Sequence, residues 1–133
     1  MFDPAQMGGE WIIAGYYPTD FERGCEELTL RIGADALSRR CTVAGQVLRQ
    51  DDAALRGHAV ARYETRLAGV GATRLWILWT DESYLTAVVG GPDGGFGWVL
   101  NRDPTISADR GIAAQRILDF NGYDPAALVR TGQ

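Results

Sequence analysis

The sequence predicts a small antiparallel β-barrel with one α-helix packed against its outside. Three observations carry this. From Trp11 to Asn101 the chain is a series of short apolar or alternating runs separated by Gly, Pro and Asp turn signals, the pattern of consecutive strands. After Pro104 the apolar period changes to that of a helix. The third is the spacing of Gly9-Glu10-Trp11, Thr80-Asp81-Glu82-Ser83-Tyr84 and Arg102, which suits the closed floor of a barrel. A tryptophan plugs the bottom, an arginine lies across its face, and a tight acidic turn joins two strands at the same end. Such a floor leaves the opposite mouth free to admit a ligand.

The elements follow in order. Phe2-Asp3-Pro4-Ala5-Gln6-Met7 reads as a short helical turn leading into Gly8-Gly9, and Trp11 to Tyr17 as a strand apolar on both faces. Pro18 to Gly24 forms a loop. Glu26 to Ile32 alternates, with Leu28, Leu30 and Ile32 on one face. Gly33-Ala34-Asp35 is a turn. Leu37 to Leu48 is a further strand region interrupted by Gly45, and Asp51-Asp52 marks the next turn. Leu55 to Leu67 is extended, Gly69 and Gly71 bracket a turn, and Leu75 to Trp79 is a strand buried on both sides. Tyr84–Val89 and Phe96–Asn101 form a hairpin across Gly90 to Gly95. Ser107 is an N-cap with Asp109 in the first turn, Ile112, Ala113, Ile117 and Leu118 form the helix stripe, and Asn121-Gly122 ends it.

Composition excludes several function classes. A chain of 133 residues is long enough for a core and too short for two domains, so residues 1–133 are expected to form one unit. Net charge is −4, with thirteen arginines and no lysine, which gives no clustered positive footprint for nucleic acid. No stretch is long and apolar enough for a membrane-spanning helix, and residues 1–15 lack the charged start and apolar run of a signal peptide. His58 is the only histidine and no Cys-x-x-Cys occurs, so neither a metal site nor a cofactor is expected.

Together these residues resemble the lipocalin family. Gly9-Glu10-Trp11 is similar to its Gly-x-Trp at the first strand, Thr80 to Tyr84 to its Thr-Asp-x-x-Tyr turn, and Arg102 to the arginine that packs on the tryptophan. Phe21-Glu22-Arg23-Gly24, Gly91-Pro92-Asp93 and the run Trp98 to Thr105 resemble the bacterial outer-membrane and apolipoprotein D-like branch. The resemblance implies an up-and-down barrel of eight strands. Gly9, Trp11, Thr80, Asp81, Tyr84 and Arg102 then form a structural floor. An up-and-down barrel needs an even number of strands from Trp11 to Thr80, whereas the plain reading finds five. A turn is therefore hidden, either at Ala44-Gly45 or at Arg62-Tyr63-Glu64. Gly57-His58-Ala59 is similar to the start of the family's fourth strand, which favours the latter, with shortened fourth and fifth strands and a low wall.

The resemblance implies binding, storage or transport of a small hydrophobic ligand, a fatty acid or lysophospholipid, at the cell envelope. Relatives of this branch are lipid-anchored in the periplasm, while the chain as written reads as cytoplasmic; both locations stay open, as does a homodimer. By alternation from Trp11, the inward residues are Ile13, Gly15 and Tyr17, with Ala59, Ala61 and Trp76 on later strands; a shift of one residue would invert the set. Arg39, Arg40, Arg62, Arg66 and Arg74 lie near strand ends, where a guanidinium can fork onto a carboxylate or phosphate, and none stands out. Cys25 is the one candidate nucleophile, as in a lipocalin isomerase, but neighbouring Glu26 and Glu27 disfavour its thiolate. A hairpin centred on Gly33 would set Cys25 opposite Cys41, so a disulfide and two buried thiols are both open. A filled barrel serving as a protein-interaction scaffold is the remaining alternative.

Overall fold

The computed structural model describes residues 1–131. A 3-10 turn at Pro4–Met7 leads into ten strands and one helix: β1 (Gly9–Tyr16), β2 (Glu27–Ile32), β3 (Ala36–Val43), β4 (Gln46–Ala54), β5 (Arg56–Ala59), β6 (Arg62–Leu67), β7 (Gly71–Thr80), β8 (Thr86–Gly90), β9 (Gly97–Asn101), α1 (Ala108–Phe120) and β10 (Val129–Arg130). All pairings are antiparallel, in the order β4-β3-β2-β1-β9-β8-β7-β6-β5, with β10 added to the upper half of β1. The sheet curls into a nearly closed barrel with α1 outside.

The strand count resolves through one bend. β4 and β5 are halves of a single extended run broken at Leu55, whose N–H donates to Asp35 O instead of a neighbouring strand. β4 pairs with β3, and β5 pairs with β6. Counted as one, they make six strands from Trp11 to Thr80 and eight along the barrel path, as the alternating directions require, with the two-residue β10 a ninth strand off that path. Both long runs read from the sequence contain a tight turn. One is Ala44-Gly45, with φ of 52° and 78°, the positive values that match a twisted hairpin. The other is Val60-Ala61, just before the expected Arg62-Tyr63-Glu64, with Ala61 at φ 58°. Asp51-Asp52, read as a turn, lies inside β4.

The fourth wall is therefore not short. Its peculiarity is a seam, because β4 and β6 approach without a main-chain ladder. Side chains bridge them: Thr65 Oγ1 donates to Ala54 O at 2.7 Å, and Ala68 N donates to Asp51 Oδ2 at 2.8 Å.

Two bulges reset the inward faces. The β1–β9 register shifts between Ile13 and Gly15, and the β7–β8 register between Ile77 and Trp79. An extra residue moves every later side chain to the other face. Trp11, Ile13 and Tyr16 accordingly face the interior, while Tyr17, Leu78 and Trp79 pack outside with the helix.

Helix α1 starts at Ser107, whose Oγ accepts from Arg110 N at 3.3 Å, and stops at Asn121 before Gly122 at φ 86°. Ala114 and Leu118 are its buried residues, packed on Val88 and Val99 of the barrel's outer face. Ile112, assigned to the buried stripe from sequence, is half exposed. The hairpin β8–β9 is held against β7 closely enough that a Cβ on Gly91 would lie 2.5 Å from Arg74 O. Gly91→Ala is expected to lower stability by about 1–3 kcal/mol through overpacking against main chain. The urea midpoint at unchanged slope measures it.

Candidate functional site: an apolar cavity between two plugs

One end of the barrel carries the turns at 33–35, 60–61 and 81–85, and the other the loops at 17–26, 44–45, 68–70 and 91–96. The first end is the base. Trp11, 1% exposed, donates from Nε1 to Met7 O at 2.8 Å. Arg102 lies over the indole with Cζ 3.6 Å from the ring centroid. Its nitrogens donate to Glu10 O (2.7 Å), Gln6 O (2.8 Å), Gly8 O (3.1 Å) and Tyr84 O (3.3 Å). Gly9 adopts φ 94°, which favours glycine, and a Cβ there would sit 3.5 Å from Arg102 Nη1. Asp81 Oδ1 accepts from Leu85 N and Thr86 N, closing the turn after Thr80, while Tyr84 OH accepts from Asp3 N. The arginine thus ties the entering strand, the 3-10 turn and the β7–β8 connection into one base.

Above the base lies a cavity of about 300 Å³. Its walls are Leu30 and Ile32 of β2, Leu37 of β3, Leu55 at the bend, Tyr63 of β6, Leu75 and Ile77 of β7, Val89 of β8 and Trp98 of β9, with Met7 beneath. No lining side chain is charged. Burial pushes the Tyr63 phenol above its ordinary pKa of 10, so it stays neutral across the physiological range. The remaining lining residues, Pro4, Ala5, Gly33 and Ala34, are at the base end, and these four are exposed.

The opposite end is not the free mouth expected from the sequence. Arg39, 1% exposed, points inward from β3 and is held by three groups. Nη2 meets Asp51 Oδ2 and Ala68 O, each at 2.8 Å, and Nη1 meets Glu22 Oε2 at 3.4 Å. The guanidinium Cζ lies 4.0 Å from the Phe21 ring centroid and 5.5 Å from that of Trp98. Glu22, itself 4% exposed, comes from the β1–β2 loop, where Thr19 N and Oγ1 donate to its carboxylate in a capping box. A charge this deep is tolerated only when paired. The loop carrying Phe21 and Glu22 therefore seals the mouth as a second plug.

A disulfide between Cys25 and Cys41, with Cα atoms 5.4 Å apart, pins that loop to β3. The β2–β3 hairpin is centred between Ala34 and Asp35, not on Gly33, since Ile32 pairs with Leu37 and Glu27 with Thr42. Cys25 precedes β2 and reaches Cys41 from the loop. Arg49 Nη1 donates to Phe21 O at 2.7 Å and lies 3.6 and 3.8 Å from the two sulfurs. With both sulfurs bonded, Cys25 offers no thiolate for the nucleophilic reading.

The cavity residues expected from alternation lie elsewhere. Ile13 is buried in the interior core but outside the cavity wall. Gly15 is buried against Leu128, and Tyr17 stacks on Tyr123 outside the barrel, both displaced by the bulge. Ala59 ends β5 just before the Val60-Ala61 turn at the base end and Ala61 is part of that turn, with Ala59 exposed and Ala61 half-buried. Trp76 faces outward beneath Arg62, whose Cζ is 4.3 Å from its ring. His58 is exposed on β5. Arg40, Arg66 and Arg74 are exposed. Of the residues that do build the site, Arg39 was among the five arginines expected near strand ends, whereas Leu37, Leu55, Tyr63, Leu75, Ile77 and Trp98 were not among the expected cavity residues; on β7 a one-residue exchange of faces put Trp76 in place of Leu75 and Ile77. Leu30-x-Ile32 and Leu75-x-Ile77 carried the usable signal, an apolar pair two apart. Among the described residues no His, Cys, Asp and Glu cluster could hold a metal, and no helix is long and apolar enough to cross a membrane.

The chain is thus a nearly closed antiparallel β-barrel with a Trp–Arg base, an internal apolar void and one external helix. The family model "Lipocalin-like domain" matches residues 2–133, and the chain belongs to that family. Solved structures agree in fold. Insecticyanin from the tobacco hornworm Manduca sexta superposes with a TM-score of 0.73 at 13% identity, covering 99% of this chain and 81% of that one. The cockroach allergen Per a 4 gives 0.74 at 8% identity, covering 98% and 87%. The siderocalin Ex-FABP gives 0.66 at 14% identity, covering 96% and 95%. No curated protein matches the chain in sequence.

Proposed function

We propose that this protein binds a small hydrophobic ligand, a fatty acid or lysophospholipid, inside the barrel, for storage or transport and without chemistry on it. The carrying observation is the cavity of about 300 Å³ whose lining side chains are all uncharged and mostly aliphatic. That volume lies at the lower end of small-molecule sites, roughly 300–1,000 Å³. Eight-stranded barrels, lipocalins among them, have room for one small ligand. An acyl chain suits the apolar lining, and burying it would supply about 25 cal/mol per Å² of apolar surface before ordering costs. The family supports the reading, as does the siderocalin Ex-FABP, which is described as working through dual ligand specificities. The similarity of residues 21–24 and 98–105 to the outer-membrane branch supports a lipid as the cargo.

Native mass spectrometry of protein purified without detergent, with titration of a fluorescent fatty acid, tests this. A one-to-one saturable complex is expected. Ile77→Trp, which drives an indole into the void, is expected to weaken binding by about tenfold or more while circular dichroism stays that of a folded barrel. Absence of a saturable signal in the wild type would remove the proposal, and binding unchanged in Ile77→Trp would move the ligand out of this cavity.

A further inference from the structure

We infer that the cavity takes a monocarboxylate whose head group is read by Arg39 in the position that Glu22 now occupies, so that the β1–β2 loop carries a built-in surrogate for the ligand's own head. This rests on the cavity being a ligand site and adds the ligand's chemical class.

Position comes first. Arg39 is the cross-strand partner of Leu30 and lies two residues along β3 from Leu37, and both of those line the cavity. Trp98, another lining residue, is 5.5 Å from the Arg39 Cζ. The guanidinium is thus the next interior layer above an otherwise uncharged void. Its surroundings come second. Two of its partners, Asp51 and Ala68, belong to the barrel wall and its β6–β7 turn and sit at 2.8 Å. The third, Glu22, is delivered by a loop and sits at 3.4 Å. Among the described residues Arg39 Nε has no hydrogen-bond partner although it is fully buried. A guanidinium presents five donors in a fixed fork, so this one has unused capacity for a second carboxylate geometry.

Glu22 is suited to leave. Its other partners, Thr19 N and Thr19 Oγ1, lie in the same loop, so the two residues move together without breaking their capping box. The Cys25–Cys41 bond leashes the loop's far end to β3, which makes the displacement a hinge. Charge selects the class. Exchanging one carboxylate for another leaves the enclosed group of Arg39, Asp51 and an anion unchanged in net charge. An alcohol would leave Asp51 as the single carboxylate on Arg39 and give up the charge-assisted hydrogen bond at Nη1, and a zwitterionic phosphocholine head would bring an extra cation into a buried layer, which is costly. A fatty acid satisfies the exchange.

The test compares three probes of equal chain length, a fatty acid, the fatty alcohol and a monoacyl phosphocholine. They are titrated into wild type, Glu22→Gln, and the double variant Arg39→Met/Glu22→Gln. The readout is the acid-to-alcohol affinity ratio, because any loss of competent protein lowers both affinities by the same factor and cancels. Wild type is expected to favour the acid by about tenfold, and Glu22→Gln to raise the acid's affinity by about another tenfold with the alcohol unchanged. The double variant should bind acid and alcohol alike. Equal affinities in wild type, or a Glu22→Gln shift shared by both probes, would overturn the carboxylate reading while leaving cavity binding intact. Tighter binding of the phosphocholine than of the acid would overturn it in favour of a lysophospholipid. Failure of all three probes would instead remove the ligand-binding function itself.

Discussion

Trp11→Ala is expected to cost about 3–5 kcal/mol of unfolding free energy, the range for removing a buried tryptophan. The indole is 1% exposed, so nearly all of its burial is lost and a void is left at the base. Its hydrogen bond to Met7 O goes as well, and so does the cation–π contact of Arg102 at 3.6 Å, which contributes about 0.5–2 kcal/mol. The damage spreads because the same guanidinium holds the carbonyls of Gln6, Gly8, Glu10 and Tyr84. Against a typical domain stability of about 5–15 kcal/mol, the variant should sit close to its unfolding transition at physiological temperature. Urea titration measures the loss. Trp11→Phe, which keeps much of the apolar volume, should lose less than half as much. A cost below about 1 kcal/mol for the alanine variant would mean that the base is not held from this residue.

The second large effect comes from the disulfide. Cys25→Ala/Cys41→Ala is expected to lose about 3 kcal/mol, the chain-entropy value for a loop of about fifteen residues, comparable with the separation of 16 here. Cys41 is fully buried beneath the loop, so the bond both shortens the unfolded ensemble and fixes the segment bearing Phe21 and Glu22 above Arg39. Reduction of the wild type should reproduce most of the loss. Thiol labelling of native, unreduced protein should give no modification. Labelled thiols in that sample, or coincident unfolding curves with and without reductant, would show that the bond contributes nothing.

Much of the architecture was legible because its signals are local. Ser107 and Gly122 bound α1 through backbone geometry that each residue type prefers, and the alternation of Leu28, Leu30 and Ile32 marks β2 without reference to any other strand. The Trp11–Arg102 base was legible as a family resemblance spread over three short motifs. Two-residue turns were harder. Ala44-Gly45 and Val60-Ala61 place an alanine at positive φ, which turn chemistry assigns to Gly, Asn or Asp; Gly45 kept the first as one of two candidate turns, while nothing in Val60-Ala61 marked the second.

The candidate site was much less legible. A bulge of one residue at Ala14 sends Gly15 and Tyr17 outward, and nothing in the run Trp-Ile-Ile-Ala-Gly-Tyr-Tyr distinguishes a bulged strand from a regular one. Arg39 was one of five arginines near strand ends, alike in sequence. What separates it from Arg40, Arg66 and Arg74 is burial, which follows from Asp51 lying opposite it in the β3–β4 register and from Glu22 arriving from a loop seventeen positions earlier.

The sequence by itself determined a series of antiparallel strands and an outer helix, since periodicity and caps are properties of neighbouring residues, and the Trp–Arg base came from the family resemblance of three motifs. Only the tertiary structure decided which end is sealed by what, and where the void lies. Those depend on register, bulges and the meeting of side chains far apart in sequence. A shift of a single residue exchanges the two faces of a strand, and pairing a buried charge requires partners that no local pattern announces.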